Sequence, residues 1–354
     1  MLRRIWLLAL VALAAPLFDS PASAHVLNNL QLWRMKHRLS GQILEFTQNH
    51  RGDQRIYSPS LCQCRDVYVY LPPCYNPAQQ YPVIFYLHGF LQDERSFFLW
   101  IPKLDDMIRA GCFPPAIVIA PDGSIEGKPS KNNPASFFIN SRAGNFEDYL
   151  IKDVWDWAHQ NFPIRPEREA HALIGVSMGA GASFDLGIRH RDKFGIVAGM
   201  FPSLNLRWMD CQGRYFGNFD PNCWAWRESL GSWHEPIAKY FGGLVRVPIG
   251  RFVEPLFGFG PDAIAGMSAH SPIEHLDREN LKNGELALFV AYAGRDEFNL
   301  DAQAESFLYA ARCRGIDVTV KYAPHGRHNY NTAMRMLPDT LRWLGCRLEP
   351  FRVR

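Results

Sequence analysis

Beyond its first two dozen residues, the 354-residue sequence has no apolar run long enough to cross a bilayer. Lysine and arginine are scattered, so the basic stripe that tracks phosphates is missing and nucleic acid is excluded as a partner. Net charge is small, +3 overall, which asks for no strongly charged substrate or surface. Zinc-finger spacing is missing as well. Cys62 and Cys64 are separated by one residue, and no Cys or His set follows at the interval a metal site needs. No metal and no cofactor are expected.

What is present begins with MLRRIWLLALVALAAPLFDSPASA: two arginines, an apolar run, then Ala22-Ser23-Ala24 as a small-residue cleavage site. This pattern predicts a signal peptide over residues 1–24, an exported mature chain in a periplasm or outside the cell, and no stable membrane insertion after cleavage. Removing Arg3, Arg4 and Asp19 leaves about +2. The apolar fraction of 47% allows one large core, or one core with an inserted subdomain. All eight cysteines lie after the leader, and an even count in an exported chain predicts disulfides. Cys211 with Cys223 makes a plausible local loop, and Cys313 with Cys346 could tie the last two helical segments.

Short runs rich in Val, Ile, Phe and Tyr, at 66–71, 83–87, 117–120, 172–176, 196–200, 287–291 and 318–322, read as strands. Helical patterns fall between them at 99–110, 149–161, 178–190, 302–314 and 333–344. The alternation predicts an α/β fold: a mostly parallel central sheet with helices on both faces and an antiparallel edge near the start. In such sheets the site lies at the carboxyl ends of the strands.

One of those ends is unusual. In AHALIGVSMGAGASF, residues 170–184, an apolar strand stops at a serine bracketed by Gly175, Gly179 and Gly181. Glycine there costs stability unless geometry requires it. The nucleophile elbow does require it, because its sharp strand-to-helix turn brings the residues two before and two after the serine too close to carry a Cβ. The other strand ends supply His88-Gly89-Phe90, Pro121-Asp122-Gly123, Gly294-Arg295-Asp296-Glu297 and Pro324-His325-Gly326-Arg327-His328. Serine, then an acid, then histidine, each after a strand, is the chain order of the α/β-hydrolase triad. The candidate acids are Asp296, Glu297, Asp122 and Asp301, and the candidate bases are His328 and His325. Two backbone N–H groups should hold the oxyanion, that of Met178 at the helix N-terminus and that of Phe90 in the loop after the 83–87 strand. His88 is expected to pack and hydrogen-bond beneath that loop.

YLHGF at 86–90, FFINSRAGNFEDYLIKDV at 137–154, IGVSMGAG at 174–181, AYAGRDEF at 291–298 and HGRHNY at 325–330 resemble the α/β-hydrolase branch that holds esterase D (S-formylglutathione hydrolase), feruloyl esterases, enterochelin esterases and the antigen 85 mycolyltransferases. The likeness spans roughly residues 60 to 345. It implies the α/β-hydrolase fold and a small-molecule ester substrate. It also implies a triad of Ser177, His328 (in its Gly-x-His-x-Tyr setting) and Asp296 (the first carboxylate of its block). Ser177 would attack the ester carbonyl, His328 would take and return the proton, and an acyl-enzyme would be resolved by water or, as in the mycolyltransferases, by an acceptor alcohol. A noncatalytic binding protein and a serine peptidase on the same fold are the rival readings. Ala180 departs from the second glycine of many members. Residues 204–275 form a long insertion rich in Trp, Gly and Phe. Trp208, Trp224, Trp226 and Trp233 either pack a small extra core or form a lid or wall of the substrate pocket. Trp224 and Trp226 are the candidate pocket residues.

Overall fold

The computed structural model describes residues 29–50, 52–130, 133 and 136–353, so the expected leader lies outside the described residues. The chain order is α1 (Asn29–Lys36), β1 (Gln42–Phe46), β2 (Val67–Leu71), β3 (Val83–Leu87), α2 (Ile101–Arg109), β4 (Ile117–Pro121), α3 (Trp155–Asn161), β5 (His171–Val176), α4 (Met178–Arg189) and β6 (Ile196–Met200). After the inserted segment come β7 (Ala287–Ala293), α8 (Leu300–Cys313), β8 (Val318–Ala323) and α9 (Tyr330–Leu348). The insertion contributes hairpins Trp208–Asp210 with Trp224–Trp226 and Pro236–Tyr240 with Val245–Pro248, then α5 (Gly250–Phe257), α6 (Pro261–Ala269) and α7 (Pro272–Arg278).

The eight-stranded sheet runs β1-β2-β4-β3-β5-β6-β7-β8. β2 is antiparallel to both neighbours, and every other pair is parallel. This is the α/β-hydrolase architecture. VYVYL, VIFYL and IVIAP are buried at every position, as strands covered on both faces must be, whereas edge strand β8 exposes Val320 and Tyr322. One face packs Ile84, Tyr86, Ile174 and Ala198 under α2 and α9. The other packs Val83, Phe85 and Leu173 under α4 and the 146–162 segment, and Val197, Leu288 and Val290 under α7 and α8.

The inserted segment has its own small core of Ile249, Val253, Ala263 and Met267. It rests on the loop that follows β7: the Lys239 N–H donates to the Glu297 carbonyl at 2.9 Å and the Tyr215 hydroxyl to the Phe298 carbonyl at 2.7 Å. A second anchor is buried. Asp185 on α4 accepts from His270 Nδ1 at 2.9 Å, His275 Nε2 at 2.8 Å and Arg189 Nε at 2.7 Å, which joins the insertion to the sheet-covering helix. Burial opposes the Asp185 charge, but hydrogen bonds from His270 and His275 and the Arg189 guanidinium outweigh it and hold the carboxyl far below its usual range.

The expected disulfides are not formed in the structure, where all eight cysteines are free. Cys211 and Cys223 flank the paired residues Asp210 and Trp224 of a hairpin, which makes them neighbours across it. Cys313 and Cys346 are not brought together, because α8 and α9 cover opposite faces of the sheet.

Candidate active site

β5 ends at Val176, and the N–H of Ser177, the next residue, still donates to the Met200 carbonyl at 2.8 Å. The next step is a sharp turn with Ser177 at φ 54° and ψ −116°, a strained conformation for a residue with a side chain. A Cβ on Gly175 would lie 2.3 Å from Gly179 C and O, and one on Gly179 would lie 2.2 Å from the Leu87 carbonyl oxygen. These are backbone collisions, so the two glycines are what let β5, the turn and α4 close around Ser177.

β7 and β8 deliver the partners. Asp296 Oδ1 accepts the Phe298 N–H at 2.8 Å, which fixes the carboxylate, and Oδ2 lies 2.8 Å from His328 Nδ1. A carboxylate only accepts, so Nδ1 carries the proton and Nε2 keeps its lone pair. His328 Nε2 is 3.0 Å from Ser177 Oγ. The ring is buried and sits between the Phe201 and Phe298 rings, with centroids at 4.8 and 5.0 Å. Burial works against a charged imidazole, but the charge and hydrogen bond of Asp296, with Glu297 behind it, outweigh this and raise the pKa of His328 above 6.5.

The remaining acids and bases stand apart from this chain. Glu297 does not meet the ring; it accepts the His328 backbone N–H at 2.9 Å and pairs with the Arg327 guanidinium, so it holds the loop that carries the histidine. Asp122 pairs with buried Arg65 at 3.1 Å, and His325 is exposed. Asp301 is pushed up to about 6 by burial and by Asp296. His88 accepts the Gly123 N–H at 2.9 Å through Nε2, with Nδ1 2.9 Å from the Gly89 carbonyl, which places it under the loop. That loop is shaped by Leu91 at φ 56° and by the Gly89 N–H donating to Gln92 Oε1 at 2.9 Å. Met178 opens α4, where its N–H has no intrahelical acceptor, and Phe90 lies across from it beside Ser177.

Two cavities open at Ser177. The larger, about 310 Å³, runs between the sheet, the 94–100 segment and helix α9, past His328, Trp100, Ile174, Ala198 and Leu341. The smaller, about 120 Å³, lies between α4 and the insertion, with walls of Phe137, Ile237, Phe252 and Leu256. Ser203 Oγ in its lining is buried without a partner among the described residues. Phe90 and Phe298, 6.5 Å apart, line both.

Trp224 and Trp226 line neither cavity, which corrects the expectation that they form the substrate pocket. They sit on the far side of the insertion, over a shallow groove with Arg207, Tyr309 and Cys313. Trp224 stacks near buried Trp208 at 6.4 Å, and the Arg207 guanidinium covers Trp226 at 5.1 Å. The reason is register: the antiparallel hairpin sets Trp226 opposite Trp208, so the aromatics pack on one another. Phe252, Phe298, Tyr240 and Trp100 take the lining role instead, and no local motif distinguishes them.

Among the described residues, no group of three or more His, Cys, Asp or Glu side chains could hold a metal ion, and no helix is long and apolar enough to cross a membrane.

A serine at a strained elbow, on an eight-stranded sheet of this order and next to a buried histidine–carboxylate pair, defines an α/β-hydrolase-fold protein. The chain belongs to the family described as "Putative esterase", whose model matches residues 58–335. A curated relative, an uncharacterized protein of Corynebacterium glutamicum, is 24% identical over 285 residues, covering 74% of this chain and 60% of its own length. The chain thus spans about 60% of that relative. Solved structures share the fold. A ferulic acid esterase has TM-score 0.63 at 17% identity, over 88% of this chain and all of its own. The S-formylglutathione hydrolase of Agrobacterium tumefaciens has TM-score 0.57 at 15%, over 88% and 96%. A ferulic acid esterase of Anaeromyces mucronatus in complex with ferulic acid has TM-score 0.54 at 17%, over 85% and 90%.

Proposed function

We propose that the protein is an exported serine esterase that hydrolyses carboxylic esters through an acyl-enzyme on Ser177. The observation that carries this reading is the unbroken chain Ser177 Oγ, His328 Nε2, His328 Nδ1, Asp296 Oδ2, at 3.0 Å and 2.8 Å. A serine hydroxyl is a weak nucleophile at neutral pH and needs a base within hydrogen-bond reach. His328 takes the hydroxyl proton as Oγ bonds to the carbonyl carbon, and Asp296 stabilises the imidazolium. The N–H groups of Phe90 and Met178 bind the oxyanion. Collapse breaks the ester C–O bond, and His328 returns the proton to the departing alcohol. Water, deprotonated by the same histidine, then releases the acid and regenerates Ser177.

Family membership supports the reaction class, and the leader pattern of residues 1–24 supports export. The test is turnover of aryl and alkyl acetates by wild type, Ser177→Ala and His328→Ala, each checked for folding by circular dichroism. Loss of nearly all turnover in both variants is expected. Retained turnover in Ser177→Ala overturns the proposal. Export is tested separately by N-terminal sequencing of the protein from the cell envelope or medium, where a start just after Ala24 is expected and an intact Met1 refutes it.

A further inference from the structure

We propose that the ester straddles Ser177, with a compact acyl half in the smaller cavity under the insertion and a larger apolar alcohol half in the cavity between the sheet, the 94–100 segment and helix α9. This deepens the esterase reading and rests on it. The assignment follows from where the proton must go. When the tetrahedral intermediate collapses, the C–O bond to the alcohol breaks and its electron pair takes the proton held on His328 Nε2. The leaving oxygen must therefore lie on the histidine side of Ser177. His328 and its neighbours Asn329 and Tyr330 line the larger cavity and do not line the smaller one. The acyl substituent leaves the same carbon in the other direction, toward Met178, Ala182 and Phe252 of the smaller cavity. Phe90 and Phe298, with Phe252 packed 4.7 Å from Phe90, form the partition between the halves.

The linings set the chemistry of each half. Among the hydroxyls that line the larger cavity away from Ser177, those of Tyr86 and Ser96 lie 3.1 Å apart and Thr340 Oγ1 donates to the Met336 carbonyl at 3.2 Å, so these are already paired. A polar alcohol such as a sugar would lose most of its water there with a single free donor to replace it, so the wall selects a largely apolar chain. The Trp100 indole N–H is buried in this wall without a partner among the described residues and offers one donor to an oxygen on that chain. The volumes, about 310 against 120 Å³, put the larger group on the alcohol side.

Two ester series separate the halves: acetates of ethanol through octanol, and ethyl esters of acetate through octanoate, followed by pH-stat. Each buried methylene is worth about fourfold in kcat/KM. The acetate series is expected to gain at least about tenfold from ethyl to octyl, while the ethyl series stops gaining or falls beyond butanoate. Ala333→Leu, which fills the larger cavity from α9, should lower the octyl-to-ethyl acetate ratio about tenfold. Val253→Phe, in the smaller cavity, should lower the butanoate-to-acetate ratio instead. Gains along the acyl series with a flat alcohol series overturn the partition and leave the esterase reading standing. Absence of turnover on every ester, with Ser177 unmodified, overturns the esterase reading itself.

Discussion

Replacing Gly175 with alanine tests whether the elbow geometry positions Ser177. The added Cβ would stand 2.3 Å from two backbone atoms of Gly179 and 2.6 Å from the Ala180 nitrogen, where ordinary contact begins near 3.4 Å. No side chain can rotate away, so β5 and the first turn of α4 must part by about 1 Å. That shift moves Ser177 Oγ relative to a His328 Nε2 now 3.0 Å away, and about 1 Å of misplacement costs about 100-fold in rate. Overpacking of this kind also costs about 1–3 kcal/mol. Gly187→Ala is the control, because its Cβ would lie 2.3 Å from a Val197 methyl, ten residues and about 15 Å along α4 from the turn. Both variants should lower Tm. Only Gly175→Ala should lose kcat/KM on a small acetate when rates are normalised to folded protein. Wild-type kcat/KM in folded Gly175→Ala, or an equal loss in Gly187→Ala, would refute the reasoning.

Other consequences are as direct. Because neutral His328 is the base and its pKa is raised, kcat/KM should fall as pH drops through a midpoint above 6.5, and Glu297→Gln should move that midpoint down; a midpoint below 6.5 contradicts the electrostatics. Asp296→Asn should cost about 1,000- to 10,000-fold in kcat, since an amide no longer selects the proton-bearing Nδ1, and a loss under tenfold argues against the pairing. Thiol titration of the denatured, unreduced protein should find fewer than eight thiols, with Cys211 and Cys223 joined; that bridge is worth about 3 kcal/mol, and eight free thiols refute it. Asp185→Ala should lower stability by about 3–5 kcal/mol, because His270, His275 and Arg189 lose their shared buried carboxylate; an unchanged Tm denies that anchor.

The central sheet was legible because covered strands leave a plain signature. VIFYL at 83–87 and IVAGM at 196–200 are strands at the boundaries their apolar runs suggest. The elbow was legible because few turns need Gly175, Ser177 and Gly179 at that spacing, and the three candidate triad residues do converge in one hydrogen-bonded chain. The start of α9 was missed by three residues: Asn329 accepts the Thr332 N–H at 2.9 Å and starts the helix directly after His328, where the loop expectation had no apolar period to follow. The insertion resisted reading most. Aromatic content says that Trp224 and Trp226 will seek cover, but not where: Trp224 stacks near Trp208, and Trp226 stays 36% exposed beside the Arg207 guanidinium. The cavity wall draws Phe90, Trp100, Phe252 and Phe298 from four separate segments, so their meeting depends on tertiary packing that periodicity does not encode.

The most direct test of the account is the mass of the protein quenched in acid during turnover of an ester, followed by peptide mapping. Wild type should carry one acyl group, matching the acid half of the ester, on the peptide that contains Ser177. Ser177→Ala should carry none and turn over nothing. An acyl group on another residue, or continued turnover by folded Ser177→Ala, would contradict the claim that this serine is the nucleophile.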